Sequence, residues 1–92
     1  MTDDPATFTG VLFLHEGPEA SGRWTFVEVP PELAPDVVGA WGRTPVTATV
    51  DGTTWETSVW TERGGRVLLA VPRRVRGGKE AGAEVVVTFR PR

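Results

Sequence analysis

Residues 44–60 read Thr-Pro-Val-Thr-Ala-Thr-Val-Asp-Gly-Thr-Thr-Trp-Glu-Thr-Ser-Val-Trp and are the strongest indication of the fold. Val46, Ala48 and Val50 alternate with threonines, which is the period-two pattern of a strand with one buried face. Asp51-Gly52 separates this run from a second one. A two-residue type I′ turn needs positive φ at both central positions, and glycine adopts positive φ without steric cost. The stretch therefore predicts a β-hairpin.

Four more strands are predicted on the two sides of this hairpin, because β-branched and aromatic residues are concentrated there. They are Thr7–Leu14, Arg23–Val29, Val67–Val71 and Glu84–Arg90. Val67–Val71 is almost wholly apolar, which is typical of a central strand buried on both faces. Trp24 and Trp55 lie within strands and are expected in the core.

One short helix is predicted at about residues 32–41, where the apolar period changes from two to four. Pro30-Pro31 ends the preceding strand because proline cannot donate to the ladder. Pro35 is tolerated only near a helix start, so Pro35-Asp36 is an alternative start. The connector Pro72–Gly82 has room for one helical turn. Six strands in 92 residues predict a mainly β domain, and a small barrel is favoured because closure removes unpaired edges.

Length and composition predict a single domain over residues 1–92, with a frayed terminus at residues 1–6. The chain contains no cysteine, which excludes disulfides and thiolate metal sites and is compatible with a reducing compartment. No apolar run approaches the roughly 18 residues of a membrane span. The first residues, Met-Thr-Asp-Asp-Pro, contain no basic segment of the kind that opens a signal peptide. We expect a cytoplasmic protein without a membrane partner.

The net charge of −2 conceals an asymmetry between the two parts of the chain. Residues 1–36 carry seven acids and one base, a charge of −6, whereas residues 37–92 carry nine bases and five acids, a charge of +4. Six bases and no acid lie between Arg63 and Lys79. Two interpretations remain open. In the favoured one, the acids of the first part and the bases of the second form ion pairs across the surface; in the other, the bases form a patch that binds an anionic partner.

The sequence offers no recognisable catalytic set. His15, the single histidine, begins an acidic loop and is expected to be solvated there. A zinc site needs three or four ligands, which one histidine and no cysteine do not supply. Gly78-Lys79 is not a phosphate loop, because Arg73 and Glu80 stand where that motif has glycine and serine or threonine. We predict no enzymatic activity, no cofactor and no metal.

Two groups of residues are candidates for binding. Trp41 and Trp60 could cover one end of the barrel or form an exposed apolar patch, and they are the candidate surface for a ligand or partner. The candidate anion or nucleic-acid contacts lie in the connector: Arg73, Arg74, Arg76 and Lys79. The leading hypothesis is a non-catalytic module that binds a partner protein or a small ligand. The alternative is a nucleic-acid-binding regulator that acts through this connector, although the slightly acidic net charge weighs against it. Monomer and homodimer both remain open.

The order of elements resembles a bacterial family of small β-barrels, the domain of unknown function DUF1905. The matching motifs run from Phe8 to Phe89: Trp24-Thr-Phe-Val-Glu-Val-Pro30, Gly42-Arg-Thr-Pro-Val46, Val50-Asp-Gly52 with Trp55, Leu68-Leu-Ala-Val71 and Arg74-Val-Arg76. The resemblance implies a six- or seven-stranded barrel of double-split type, related in shape to small antitoxin and transition-regulator barrels. Family members occur alone or joined to a domain associated with bacteriocin protection. The family usually has Gly-Asp before its last strand, whereas this chain has Gly82-Ala83-Glu84.

Overall fold

The computed structural model describes residues 5–16, 23–35 and 42–92, and seven β-strands account for most of them. In chain order the strands are β1 (Ala6–Val11), β2 (Phe13–Glu16), β3 (Arg23–Val29), β4 (Arg43–Val50), β5 (Thr53–Thr61), β6 (Val67–Ala70) and β7 (Glu84–Pro91). The helix α1 (Arg73–Arg76) and a 3-10 turn, Pro31–Leu33, complete the described elements. The predicted mainly β fold with six to seven strands is confirmed.

The strands form one antiparallel sheet in the order β1-β7-β4-β5-β6-β3-β2. The first and last strands of this order are consecutive in the chain and are separated by Leu12 alone, so the sheet curls until its ends meet. The Leu12 N–H donates to the Ala83 carbonyl at 2.9 Å, and the Leu12 carbonyl accepts from the Gly82 N–H at 2.8 Å. The single predicted strand Thr7–Leu14 is therefore two strands joined by a bend, and β1 begins one residue earlier than predicted.

The core lies inside the curled sheet and follows the predicted alternation. Val46, Ala48 and Val50 of β4 are buried, and Ala48 and Val50 lie opposite the buried Phe89 and Val87 of β7 across the shared ladder. β6 lies between β3 and β5, and its first three residues are at most 3% exposed. The prediction that this strand is buried on both faces is confirmed.

The described α-helix lies later in the chain than the main prediction placed it. Within the predicted segment at about residues 32–41, the described part contains a 3-10 turn, Pro31–Leu33, and residues 36–41 lie outside the described residues. The helix is α1, in the connector where one helical turn was allowed. Pro72 precedes this helix, and Gly77, with φ of 63°, ends it. The connector therefore contains a proline at the helix start and a glycine at its end, which are common start and stop signals.

β1 approaches β3 so closely that a side chain has no room between them. A Cβ added to Gly10 would lie 2.3 Å from Val27 Cγ2. β3 pairs with β2 over residues 23–26 and with β6 over residues 26–29. Beyond Phe26, the edge of β3 that faces away from β6 is therefore covered by side-chain packing against β1 and not by strand pairing. Glycine at residue 10 is what permits this approach.

The predicted type I′ turn is present at Asp51-Gly52, where φ is 48° and 93°. The Asp51 side chain also ties this turn to β7 and to the connector. Its Oδ1 accepts from the Val86 N–H at 2.9 Å and its Oδ2 accepts from Lys79 Nζ at 2.6 Å. The hydrogen bond from Lys79, with that from Val86, holds the pKa of the Asp51 carboxyl below its ordinary value.

Asp51→Ala is expected to lower the free energy of unfolding by about 1–2 kcal/mol, since it removes both hydrogen bonds and places alanine at positive φ. Asp51→Asn is the matched control. Asparagine tolerates positive φ and keeps an acceptor for Val86, so it should cost less. Urea unfolding of the two variants measures both losses. Equal losses would show that the Val86 hydrogen bond and the backbone preference contribute nothing.

The difference in stability between the wild type and Asp51→Asn should depend on pH in acid. The Asp51 pKa is lower in the folded chain than its ordinary value of 3.8, so the folded state binds fewer protons. The charge-dependent contribution is therefore complete at neutral pH and is lost as pH falls below 3.8 through the folded pKa. Urea unfolding at stepwise lower pH measures it, and a difference that stays constant into acid would contradict it.

Candidate functional site

The sheet opens where β5 and β6 separate. β5 pairs with β4 along its whole length, but its described pairing with β6 covers Val59–Thr61 alone. Past Leu69 the chain turns toward β3, where the Val71 N–H donates to the Thr25 carbonyl at 2.8 Å, and Pro72 then leads into α1. Thr53–Ser58 is thus paired on one side in the described sheet, and we refer to it as the β5 edge.

Two clefts adjoin the β5 edge, one on each face of the sheet. The inner cleft has a volume of about 330 Å³, and its walls include Trp24, Trp55, Pro72 and Arg76. The outer cleft has a volume of about 390 Å³, and its walls include Trp60, Arg43 and Arg92. Trp24, Thr57 and Ala70 line both clefts, which makes them continuous.

The tryptophans at these clefts differ from the predicted arrangement. Trp24 is not a core residue, because β3 extends past the end of β6 and leaves its side chain 40% exposed, stacked on Phe26 with ring centroids 6.2 Å apart. Trp55 is partly buried against the core, which agrees with its prediction in part. Trp60 is half-buried in the outer cleft, where the Arg43 guanidinium lies 5.5 Å from its ring centroid. Trp41 lies outside the described residues.

Arg76 and Arg92 contribute fixed cationic groups to the clefts. Arg76 donates from Nη1 to the Val71 carbonyl at 2.9 Å and from Nε to the Lys79 carbonyl at 3.2 Å. Arg92 donates to Glu56 Oε1 at 3.2 Å and to the Thr57 carbonyl at 3.1 Å. Arginine offers several N–H donors in one plane, so each retains donors beyond these contacts.

The connector does not form one continuous cationic patch. Arg73 and Arg74 are exposed on α1, whereas Arg76 turns to the inner cleft. Lys79 is held by Asp51 Oδ2 and by the Glu84 carbonyl, at 2.6 and 2.7 Å. Arg66, in the preceding turn, lies 3.5 Å from Glu28 and 4.0 Å from Glu62. Acids from both parts of the chain thus neutralise bases of this segment.

His15 is in β2 rather than in the predicted solvated loop. Its Nε2 lies 2.9 Å from Glu62 Oε2, and its ring packs edge-on against Phe13 and Phe26. In the ranges that the structure describes, no group of three His, Cys, Asp or Glu side chains could hold a metal ion. None of the helices within these ranges is long and apolar enough to cross a membrane.

The family defined as a domain of unknown function, DUF1905, matches residues 8–89 of the chain. The chain belongs to this family. The match runs from Phe8 in β1 to Phe89 in β7 and so includes the β5 edge and most of both clefts of this DUF1905 domain. A comparison with curated proteins gives no match.

The segment before β7 of this DUF1905 domain is held by its backbone. Gly82 has φ of 97°, and its N–H reaches Leu12 at the bend between β1 and β2. Glu84, which stands next to the position where the family motif has aspartate, accepts the Lys79 hydrogen bond with its carbonyl oxygen. Backbone groups and Lys79 therefore make the contacts here.

Sequence reasoning did not place Trp24, Arg43 and Arg92 at the clefts. One signal was available in the predicted strands: the second run of the hairpin, Thr53–Trp60, has eight residues, and the predicted strand Val67–Val71 has five. A neighbour of five residues cannot pair with all of a strand of eight, so part of that strand had to face another element or remain an edge. The tryptophans and arginines flanking that part would then have been the candidates.

Proposed function

We propose that this DUF1905 domain is a non-catalytic binding module whose site is the pair of clefts along the β5 edge. One observation carries the proposal: three tryptophans and three arginines converge there, namely Trp24, Trp55, Trp60, Arg43, Arg76 and Arg92. Aromatic rings provide large, rigid apolar surfaces, and guanidinium groups bind carboxylates through paired hydrogen bonds. The ligand is therefore an apolar or aromatic group beside a carboxylate, presented by a partner protein or a small molecule. We propose that the domain binds this ligand in the cytoplasm, the location expected from the sequence.

Arg76 is the group best placed to bind the carboxylate in the inner cleft. Its two contacts with the Val71 and Lys79 carbonyls fix the guanidinium without neutralising its charge. A side chain that is already ordered loses less conformational entropy when it binds. Trp24 and Trp55 line the same cleft and would contact the apolar part of the ligand.

The nucleic-acid alternative has less support from the geometry. Of its four connector residues, Lys79 is paired with Asp51 and Arg76 bonds to two carbonyls. Arg73 and Arg74 remain as exposed cations on α1. Binding that depends on these two, and that weakens steeply with salt, would favour the alternative.

An NMR titration of the ¹⁵N-labelled domain with phenylacetate tests the proposal. Phenylacetate carries one ring and one carboxylate, so saturable shifts are expected for the indole N–H groups of Trp24 and Trp55 and for amides near Arg76. 2-Phenylethanol, which keeps the ring and lacks the carboxylate, is the matched probe and should bind more weakly. An absence of saturable shifts in these clefts with millimolar phenylacetate would overturn the proposed site for this class of ligand.

Variants at Trp24 and Arg76 should weaken phenylacetate binding. Trp24→Ala removes one aromatic wall and Arg76→Ala removes the cation, and each loss is expected to be about tenfold or more. Arg74→Ala is the matched control, since Arg74 is exposed on α1 and should change the affinity less than about twofold. Equal effects of the Arg74 and Arg76 variants would place the carboxylate outside the inner cleft.

A further inference from the structure

The β5 edge presents backbone donors and acceptors to the clefts. The Asp51 N–H, in the turn after β4, donates to the Val86 carbonyl, and the Pro45 carbonyl of β4 accepts from the Arg92 N–H, so both bond to the β7 side. The backbone groups of every second residue of β4 therefore point to β5. Val50 is one of these residues, and it pairs with Thr53 across the two-residue turn. It follows that Thr53, Trp55 and Thr57 direct their backbone groups to β4. Thr54 and Glu56, between them, direct theirs away from β4 toward the clefts, whereas Ser58 faces β6, because the Val59–Leu69 pair is held by hydrogen bonds of the residues on either side of it.

The two clefts match the side-chain alternation of an added strand. Residues of a strand point in turn to opposite faces of the sheet. Trp55 lines the inner cleft, Glu56 and Ser58 line the outer one on the opposite face of the same edge, and Thr57 lines both. A strand laid along this edge would place alternate side chains in one cleft and then in the other. Binding of this kind obtains affinity from the backbone and specificity from the side-chain pockets.

Charge indicates what such a strand carries. Among the described lining residues three arginines face one carboxylate, Glu56, which Arg92 bridges. An acidic segment is therefore complementary to the site. A second copy of this chain would instead bring its own Arg43, Arg76 and Arg92 to the same place, where like charges repel. A polynucleotide has phosphates but lacks the alternating amide donors and carbonyl acceptors that this edge would pair with.

We propose that the β5 edge binds an extended, acidic peptide segment of a partner protein by strand addition. The inference rests on the proposed binding function and specifies its ligand. The edge of six residues spans about 20 Å, enough for a segment of similar length. Apolar side chains of the segment enter the inner cleft between Trp24 and Trp55. Its acidic side chains lie in the outer cleft beside Arg43 and Arg92, and a carboxylate at the end of the segment binds Arg76 in the inner cleft.

The probe is the peptide acetyl-Glu-Phe-Glu-Val-Glu-Phe-amide, titrated into the domain and followed by ¹⁵N NMR. Its charge-reversed form, with lysine in place of glutamate, should bind at least about tenfold more weakly. Two N-methylated versions separate backbone pairing from side-chain binding, one methylated at the glutamates and the other at the apolar residues. One of them should lose at least about tenfold in affinity and the other should lose little, because one alternate set of N–H groups faces β5.

Glu56→Pro removes one N–H that faces the cleft and leaves the backbone pairs with β4 intact. It should weaken peptide binding by about tenfold, whereas Glu56→Ala, which keeps that N–H, should not. If Glu56→Pro does not fold, the two N-methylated peptides still show whether the peptide backbone pairs with β5.

The outcomes distinguish this inference from the proposed function. Equal binding of both N-methylated peptides, or tighter binding of a single-stranded oligonucleotide than of the acidic peptide, would overturn strand addition. Dimerisation of the domain through β5 at the concentrations used would overturn it as well. Phenylacetate binding without peptide binding refutes the inference and leaves the binding module standing. If neither phenylacetate nor the acidic peptide binds, both the proposed binding site and strand addition are refuted.

Discussion

Leu69→Ala is expected to lower the free energy of unfolding by about 2–5 kcal/mol. Leu69 is fully buried in β6, opposite Val27 of β3 on one side and Val59 of β5 on the other. Truncation removes apolar burial and leaves a cavity that the three paired strands β5, β6 and β3 cannot move together to fill. Small domains have only about 5–15 kcal/mol of stability, so the loss is a large part of the total. Urea unfolding measures it.

Leu14→Ala provides the matched control for the same chemical change. Leu14 is 51% exposed, so the substitution should change stability by about 0.5 kcal/mol or less. The ratio of the two effects tests whether β6 is the centre of the core. A loss below about 1 kcal/mol for Leu69→Ala would contradict the packing described for this strand.

Gly10→Ala is expected to cost about 1–3 kcal/mol, the typical penalty for overpacking a filled core. The added Cβ would lie 2.3 Å from Val27 Cγ2, and Val27 is fully buried and cannot move outward. Val27→Ala makes room at the same point but loses buried methyl groups, at a cost of about 2 kcal/mol.

The double variant Gly10→Ala with Val27→Ala should be more stable than the sum of the two losses predicts. The methyl added at residue 10 occupies part of the space left at residue 27, and neighbouring substitutions of this kind couple by about 0.5–3 kcal/mol. Equilibrium unfolding of all four proteins completes the cycle. Additive losses would mean that β1 and β3 do not close the sheet by packing at this point.

The strands of this fold were predictable because their signals are local. Alternation in residues 46–50, the Asp51-Gly52 pair and the apolar run at β6 each follow from a few neighbouring residues. The bend at Leu12 was not predictable in this way. It depends on two backbone hydrogen bonds: the Leu12 N–H donates to the Ala83 carbonyl, and the Leu12 carbonyl accepts from the Gly82 N–H. Both partners are distant in sequence. For the same reason β1 and β2 were predicted as one strand.

The candidate site was predictable in part. Trp60 and Arg76 were proposed from the sequence, and both line the clefts, whereas Arg73 and Arg74 are exposed on α1 away from the lining residues. Trp24 was expected in the core because its strand is buried further along. Its exposure results from the early end of β6, which alternation within β3 cannot show.

Charge was the least predictable property. The six bases from Arg63 to Lys79 suggest one patch when counted along the chain. In three dimensions Asp51 of the hairpin turn approaches Lys79, while Glu28 of β3 and Glu62 approach Arg66. A charge count does not contain these neighbours, since strand register decides them.

The place of β7 between β1 and β4 has a consequence for synthesis of the protein. β7 lies between β1 and β4 in the sheet, although it is the last described strand to be made, and its Thr88 meets Thr7 across 81 positions of the chain. Until Glu84–Pro91 leaves the ribosome, β1 and β4 have no shared neighbour to pair with. A nascent or truncated chain that ends before Glu84 therefore exposes two threonine-rich edges, which are sites for aggregation. Completion of the sheet is accordingly a late, long-range event that follows release of the last strand.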